Sequence, residues 1–222
     1  MEKERERQAN GAGWHLTGVT GEELLLASSS PRRAEILRTV GWPFEAFAVN
    51  IDESPQMSEG VVAYVERLAR EKAEAAAAQH RQQRQGTSRL VLGADTIVFA
   101  EGSMLGKPRD AEDARRMLRL LSGRWHEVLT GVTLLRTGGE QTERRATAHE
   151  TTRVRFSPLS EEEIDWYVAT GEPLDKAGAY AVQGRAALFI EAIDGDFWNV
   201  VGLPVRLVYK LVREMQDKAN AE

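Results

Sequence analysis

Several short stretches of this 222-residue chain combine residue types that suit chemistry on phosphates. In Ser28-Ser29-Ser30-Pro31-Arg32-Arg33 an apolar run ends in hydroxyls and then two arginines. If a helix starts at Pro31, its free N–H groups can bind an anion, and arginine adds forked donors matched to phosphate. Cations in a first helical turn oppose the helix dipole, so their presence there favours an anionic ligand, although a capped helix with solvated arginines fits the same string. In Gly93-Ala94-Asp95-Thr96 a carboxylate follows the apolar Leu90–Leu92 run and precedes Ile97 and Val98. A buried acid is costly unless it is paired or bound to a cation, and such acids cluster at active sites; the alternative is a structural aspartate in a turn. Asp52-Glu53 lies in an acidic stretch that could hold a divalent cation or simply be solvated, and Glu71-Lys72 is either a site pair or a surface pair.

The string Gly102-Ser-Met-Leu-Gly106-Lys107 only looks like a P-loop. It has one residue too few between its glycines, and Pro108 replaces the hydroxyl residue that binds magnesium there. Asp175-Lys176-Ala177-Gly178-Ala179-Tyr180 and Gln183-Gly184 form a small-residue loop whose glycines permit close approach of a ligand; a tight turn would look the same. Together these stretches supply carboxylates (Asp95, Glu53) for metal and base work and cations (Arg32, Arg33, Lys72, Lys107, Lys176) for phosphates. No nucleophile stands beside a base. The chemistry this suggests is metal-assisted attack of water on a phosphoanhydride.

Composition narrows the field. The chain has no cysteine, which removes disulfides, thiolate-bound zinc and thiol nucleophiles. His15, His80, His126 and His149 lack metal-site spacing. A net charge of −5 and a pI near 5.6 argue against a general nucleic-acid binder, and aromatic residues at 7% argue against a single-strand or RNA-end platform. No apolar run is long enough to span a membrane. The start, MEKERERQANGAGWH, is charged rather than signal-like, so the cytoplasm is the expected compartment.

The elements that must hold these residues follow from pattern. Residues 1–22 read as a mobile tail, 23–216 as one catalytic domain and 217–222 as a C-terminal tail. Leu24–Ala27 is a buried strand leading to Ser30 as N-cap and Pro31 at the first helical position, with the helix stopping at Gly41. Phe44–Val49 is a second strand, Asn50–Gly60 an acidic loop, Val61–His80 a helix and Arg81–Arg89 a loop. Leu90–Phe99 is a central strand interrupted at Gly93-Ala94-Asp95. Asp110 caps a helix ending at Gly123, with Ala114, Met117, Leu118 and Leu121 inward. Strands follow at Glu127–Leu135 and Thr147–Phe156. Ser160 and Glu163 make a capping box for a helix ending at Gly171. Ala186–Ile193 is a strand, and Pro204 opens a last helix. This alternation predicts an α/β fold: a mixed, elongated, twisted sheet flanked by helices, in two lobes with a central cleft.

With these strings in order, and with Leu105-Gly106-Lys107-Pro108, Leu121-Ser122-Gly123, Thr130-Gly131-Val132 and Val201-Gly202-Leu203-Pro204, the chain resembles the Maf family of nucleoside triphosphate pyrophosphatases from about Leu24 to Val212. The resemblance implies an inosine-triphosphatase-like fold and hydrolysis between the α and β phosphates with Mg²⁺ or Mn²⁺. It matches Asp95 to a general base, and Ser28, Arg32, Arg33, Glu53, Lys72 and Lys107 to other active-site positions. Arg32, Thr96 and Gln183 match positions tied to base preference, and the Asp175–Tyr180 string resembles the branch that prefers dTTP and UTP. The glycine common between the two serines is Ser29 here, which removes no catalytic group. The implied metal ligands are Asp95 and Glu53; one carboxylate could be both base and ligand. The expected partner is a nucleoside triphosphate, without nucleic acid or membrane, and a homodimer is compatible with the sequence. The rival expectation is a regulator of septum formation that holds nucleotide without turning it over.

Overall fold

The computed structural model describes residues 23–83, 89–137 and 144–220. The tail expected at 1–22 lies outside the described residues. The elements are β1 (Leu24–Ala27), α1 (Pro31–Thr39), β2 (Phe44–Ala46), α2 (Val61–Gln83), β3 (Arg89–Ala100), β4 (Ser103–Leu105), α3 (Ala111–Leu121), β5 (Trp125–Thr137), β6 (Arg144–Phe156), α4 (Glu161–Ala169), β7 (Ile190–Asp194), α5 (Phe197–Val201) and α6 (Val205–Asn220). Three short 3₁₀ turns, Glu172–Asp175, Ala177–Ala179 and Arg185–Leu188, fill the stretch between α4 and β7. The strands form a mixed sheet in the order β2-β1-β3-β5-β6-β7, with β4 folded back on β3. The β1–β2 and β1–β3 pairs are parallel, and the β3–β5, β5–β6 and β6–β7 pairs are antiparallel.

Both faces of the sheet are covered. Leu24 and Leu26 of β1 enter the large core shared with α1, α3, α4 and α6, whereas Leu25 and Ala27 point the other way, against Ala73, Ala76 and Ala77 of α2. This is the period-two alternation of a strand buried on both faces. Among the described residues no helix is long and apolar enough to cross a membrane.

The central strand differs from expectation. β3 runs unbroken through Gly93-Ala94-Asp95. Gly93 does not interrupt it but lets α2 lie directly on it: a Cβ there would stand 2.1 Å from the Ala69 carbonyl oxygen. Gly131, which pairs with Asp95 across β3 and β5, does the same for Val65, whose carbonyl oxygen would lie 2.2 Å from an added Cβ. Two glycines on neighbouring strands thus seat one helix, and that seating carries Lys72 to Asp95.

Other boundaries shift for local reasons. β2 ends at Ala46 rather than Val49, with one further bond, from Phe47 N–H to the Leu26 carbonyl (2.9 Å). α2 continues to Gln83, past the loop expected from Arg81. Ala186–Leu188 belongs to a 3₁₀ turn, so β7 starts at Ile190. β4 and α5 were not anticipated; α5 starts where Asp196 accepts from the N–H groups of Trp198 and Asn199. The capping box of Ser160 and Glu163 and the cap of Asp110 on Asp113 N–H form as expected.

Candidate active site

Ten side chains singled out from sequence line one cleft of about 320 Å³: Ser28, Arg32, Arg33, Glu53, Lys72, Asp95, Thr96, Lys107, Lys176 and Gln183; Asp52, which accepts from Ser54 N–H, and Glu71, which pairs with Arg67, do not. Its floor is the C-terminal end of β1, the middle of β3 and the inner face of α2. Its mouth is the 3₁₀ region from Asp175 to Gln183, facing the start of α1.

On the floor, Lys72 lies between two carboxylates. Its Nζ is 2.6 Å from Asp95 Oδ1 and 2.6 Å from Glu53 Oε1. Lys72 and Asp95 are buried, whereas the Glu53 side chain is 57% exposed. Burial pushes the Asp95 carboxyl above the usual carboxylate range, against the pull of Lys72 and Arg33. A raised carboxyl is a stronger proton acceptor once ionised, which suits a general base. Burial also pushes the Tyr64 phenol up to about 12, with Asp95 and Glu53 adding to the effect. Tyr64 is therefore a neutral donor near pH 7, and its hydroxyl donates to the Glu53 carbonyl (2.9 Å).

Arg33 is the second buried cation, and the protein holds it on three sides. Its Nε donates to the Gly202 carbonyl (2.9 Å), Nη1 to Ser28 Oγ (3.1 Å) and Nη2 to Thr96 Oγ1 (3.1 Å). Burial lowers its pKa, partly offset by the Asp95 charge. A guanidinium has five N–H donors, so Arg33 keeps capacity toward the cleft while bracing Ser28 and Thr96. Thr96 Oγ1 also meets Thr130 Oγ1 at 2.9 Å.

Ser30 stands at the N-cap position of α1 but makes no side-chain cap bond. Instead its own N–H donates to Ser28 Oγ (3.1 Å). Because the Ser30 hydroxyl does not cap the first turn, that turn remains available to an anion.

The mouth carries the half-buried Arg32 and Lys176 and the exposed Lys107 and Asp175. Arg32 donates to Asp175 Oδ2 (3.0 Å) and to the Asp175 carbonyl (3.3 Å). Lys176 donates to the Glu172 carbonyl (2.8 Å) and contacts Asp175 as well. Lys107 is exposed and has no ion pair among the described residues; its loop is tied to the mouth by Gly178 N–H donating to the Gly106 carbonyl (3.1 Å). Gly178 has φ +68°, and a Cβ there would press to 2.6 Å from Val98 Cγ2, so both its conformation and its packing demand glycine. Gln183 is exposed on the rim.

Sequence reasoning missed Tyr64 and the carbonyl of Gly202, and it named Asp175 only within the small-residue string Asp175–Tyr180, with no role of its own. Asp175 could have been suspected as the acid beside Lys176. Tyr64 gave no sign, being one aromatic in an amphipathic helix.

The cleft thus offers a buried carboxylate, a second carboxylate that shares a lysine with it, and five cations around a space sized for a small anionic ligand. Among the described residues no three His, Asp or Glu side chains gather into a metal cage. Two hard oxygen donors nevertheless suit magnesium, which commonly takes one or two carboxylates and completes its shell with phosphate oxygens and water. Lys72 engages one oxygen of each carboxylate, so the donor set fits such an ion.

The model of the Maf-like protein family matches residues 23–215 of this chain. The chain belongs to the Maf family. Its relatives in the family include the dTTP/UTP pyrophosphatase of Symbiobacterium thermophilum, 50% identical over 193 residues, which are 87% of this chain and 94% of that one. The dTTP/UTP pyrophosphatase of an Anaeromyxobacter species is 52% identical over 86% of this chain and 88% of its own length. That of Bacillus cytotoxicus is 45% identical over 88% and 95%. Among solved structures, the Ham1 protein of Staphylococcus aureus aligns with 87% of this chain and 100% of its own, at 11% identity and a TM-score of 0.46.

Proposed function

We propose that this chain hydrolyses dTTP and UTP to the nucleoside monophosphate and pyrophosphate, with residues 23–216 as the catalytic unit. The observation that carries the reading is the buried Asp95 carboxylate, paired with Lys72 on the floor of a cleft whose rim is cationic. The names and coverage of the relatives support the choice of substrate.

In this mechanism the triphosphate lies along the cleft with its α-phosphorus near the floor. Asp95 orients a water molecule and accepts its proton as the water oxygen bonds to the α-phosphorus. The bond to the bridging oxygen of the β-phosphate breaks, and pyrophosphate leaves with that oxygen and the electron pair. Lys72 holds Asp95 and Glu53 in place and limits their mutual repulsion. Arg32, Lys107, Lys176 and the free N–H groups of Arg33 offset the charge that develops on the phosphates. Ser28 and the first turn of α1 add neutral donors. Asp95 and Glu53 would hold Mg²⁺ or Mn²⁺, which when bound neutralises phosphate charge and polarises the phosphoryl oxygens.

Gln183, with Thr96 and Arg32, reads the base. A side-chain amide offers a donor and an acceptor that match the O4 and N3–H edge of uracil and thymine. Cytosine reverses that pattern, and leaving a polar group unpaired costs ~1–3 kcal/mol.

The test is product analysis and kcat/KM for the eight common nucleoside triphosphates with Mg²⁺. The expected products from dTTP are dTMP and pyrophosphate. CTP and the purine nucleotides should be at least about tenfold poorer substrates. Release of orthophosphate, equal rates on GTP and dTTP, or tight binding without turnover would contradict the proposal; the last would favour a nucleotide-holding regulator.

A further inference from the structure

The reaction centre takes Glu53 from a segment with no regular secondary structure. Residues 50–60 form neither helix nor strand, yet Glu53 Oε1 is held within 2.6 Å of Lys72. An exposed acid on an irregular loop does not keep such a position unaided, because ordering the backbone costs conformational entropy at every residue.

The loop is anchored from α2, one helical turn at a time. Tyr64 donates its hydroxyl to the Glu53 carbonyl (2.9 Å). Three residues on, Arg67 donates through Nη2 to the Ser54 carbonyl (3.1 Å). The same guanidinium makes a two-pronged pair with Glu59, at 2.7 Å through Nε and 2.8 Å through Nη2. It reaches Glu71 through Nη1 (3.2 Å) and lies over the Tyr64 ring, 5.6 Å from its centroid. The Arg67 and Glu59 side chains are only 9% and 7% exposed. Arg67 does not line the cleft. A buried arginine that directs its donors to Glu59 at the end of an acidic loop, to Glu71 on its own helix and to the loop's backbone is an expensive device for a surface loop.

Building on the proposed reaction, we infer that Arg67 and Tyr64 are positioning residues that clamp the 53–59 loop to α2 and so hold Glu53 in the reaction centre. The spacing 64, 67, 72 places clamp and Lys72 on one helix. The helix seated by Gly93 and Gly131 therefore fixes both ends of the Lys72–Glu53 contact.

The experiment compares Arg67→Ala, Arg67→Lys and Tyr64→Phe, each alone and combined with Glu53→Gln. Pyrophosphate release from dTTP and amide hydrogen exchange over residues 51–56 are both measured. Arg67→Ala should lower kcat by about 10- to 100-fold, the usual range for a residue that orients a site ligand, with KM changed much less. Arg67→Lys keeps the charge but loses the fork and should recover part of that loss. Tyr64→Phe removes one hydrogen bond and should lower kcat by about 3- to 10-fold, so it carries the test if Arg67→Ala folds poorly. In the Glu53→Gln background neither substitution should lower kcat further, since neighbours acting through one group are not additive. Exchange over 51–56 should quicken in both variants while β3 amides stay as in wild type.

Losses that multiply fully with Glu53→Gln would show a merely structural role and overturn the inference. So would wild-type kcat in Arg67→Ala and Tyr64→Phe, or in Glu53→Gln itself. Wild-type protein that releases no pyrophosphate from dTTP would instead overturn the reading of the reaction, and this inference with it.

Discussion

The floor and the mouth of the cleft carry similar charges in opposite settings. On the floor, Lys72, Asp95 and Arg33 are buried, and each is fixed by partners from elements far apart in the chain. At the mouth, Arg32, Lys107, Lys176 and Gln183 sit on 3₁₀ turns, loops or the first turn of α1, and exposed Asp175 is the counter-charge that Arg32 and Lys176 share. In the proposed reaction Arg32 and Lys176 trade that carboxylate for phosphate oxygens, a like-for-like exchange that costs little. The floor cannot relax in this way, because a buried charge stripped of its partner stays uncompensated. Under the proposed function, this contrast puts bond-breaking on the preorganised floor and recognition at the mouth.

Substitutions at the two places should therefore differ in kind as well as in size. Asp95→Asn should lower kcat by ~10²–10⁴, the range for losing a positioned base, in a chain that still folds but melts earlier than wild type because Lys72 loses its buried partner. Activity within a few-fold of wild type would remove Asp95 from that role. Lys107→Ala deletes an exposed cation and should lower kcat/KM for dTTP by about 10- to 100-fold, through KM as well as kcat. Lys107→Arg should restore only part, since a fork is not a point charge. Gln183→Ala should act mainly on choice, shrinking the dTTP-over-GTP ratio by about 5- to 10-fold; an unchanged ratio in steady-state kinetics would show that other groups read the base.

The smallest effect at neutral pH lies beneath the mouth. His126 is buried, with its Nε2 2.9 Å from the Tyr180 hydroxyl, and burial lowers its pKa from 6.5 to about 4. Between those values the unfolded chain binds the proton more readily than the folded one, so stability rises with pH across this window and is lost as pH falls through it. At pH 7 the contribution is fully present; by pH 4 the loss reaches about 3 kcal/mol. Urea unfolding of wild type against His126→Gln should show the mutant's stability falling less from pH 7 to pH 4.

How far the sequence disclosed this division depends on the range of the signal. Asp95 was legible because one acid stands out in an apolar run. The α1 start was legible because Ser30-Pro31 carries the cap and first-position signals, although the Ser30 hydroxyl does not cap as expected. Gly93 was misjudged as a break in the strand: glycine in a strand marks either a bulge or a close backbone approach, and only the helix packed above it decides which. The Arg32–Asp175 pair joins residues 143 positions apart, and Arg67 reads like any solvated arginine on a helix. Such pairings arise from tertiary packing, which no local pattern encodes. The 3₁₀ turn at Arg185–Leu188 was mistaken for strand because a short apolar run has no period of its own.

The most direct measurement sets the floor against the mouth in one assay: pyrophosphate release from dTTP and from GTP by wild type, Asp95→Asn and Gln183→Ala, at matched Mg²⁺. Asp95→Asn should depress turnover of both substrates by a common factor of ~10²–10⁴ and leave their ratio intact. Gln183→Ala should keep most of the kcat on dTTP and bring the two substrates closer together. If Asp95→Asn instead altered the ratio while sparing kcat, or if Gln183→Ala abolished turnover on both nucleotides, chemistry and recognition would not be divided between floor and mouth.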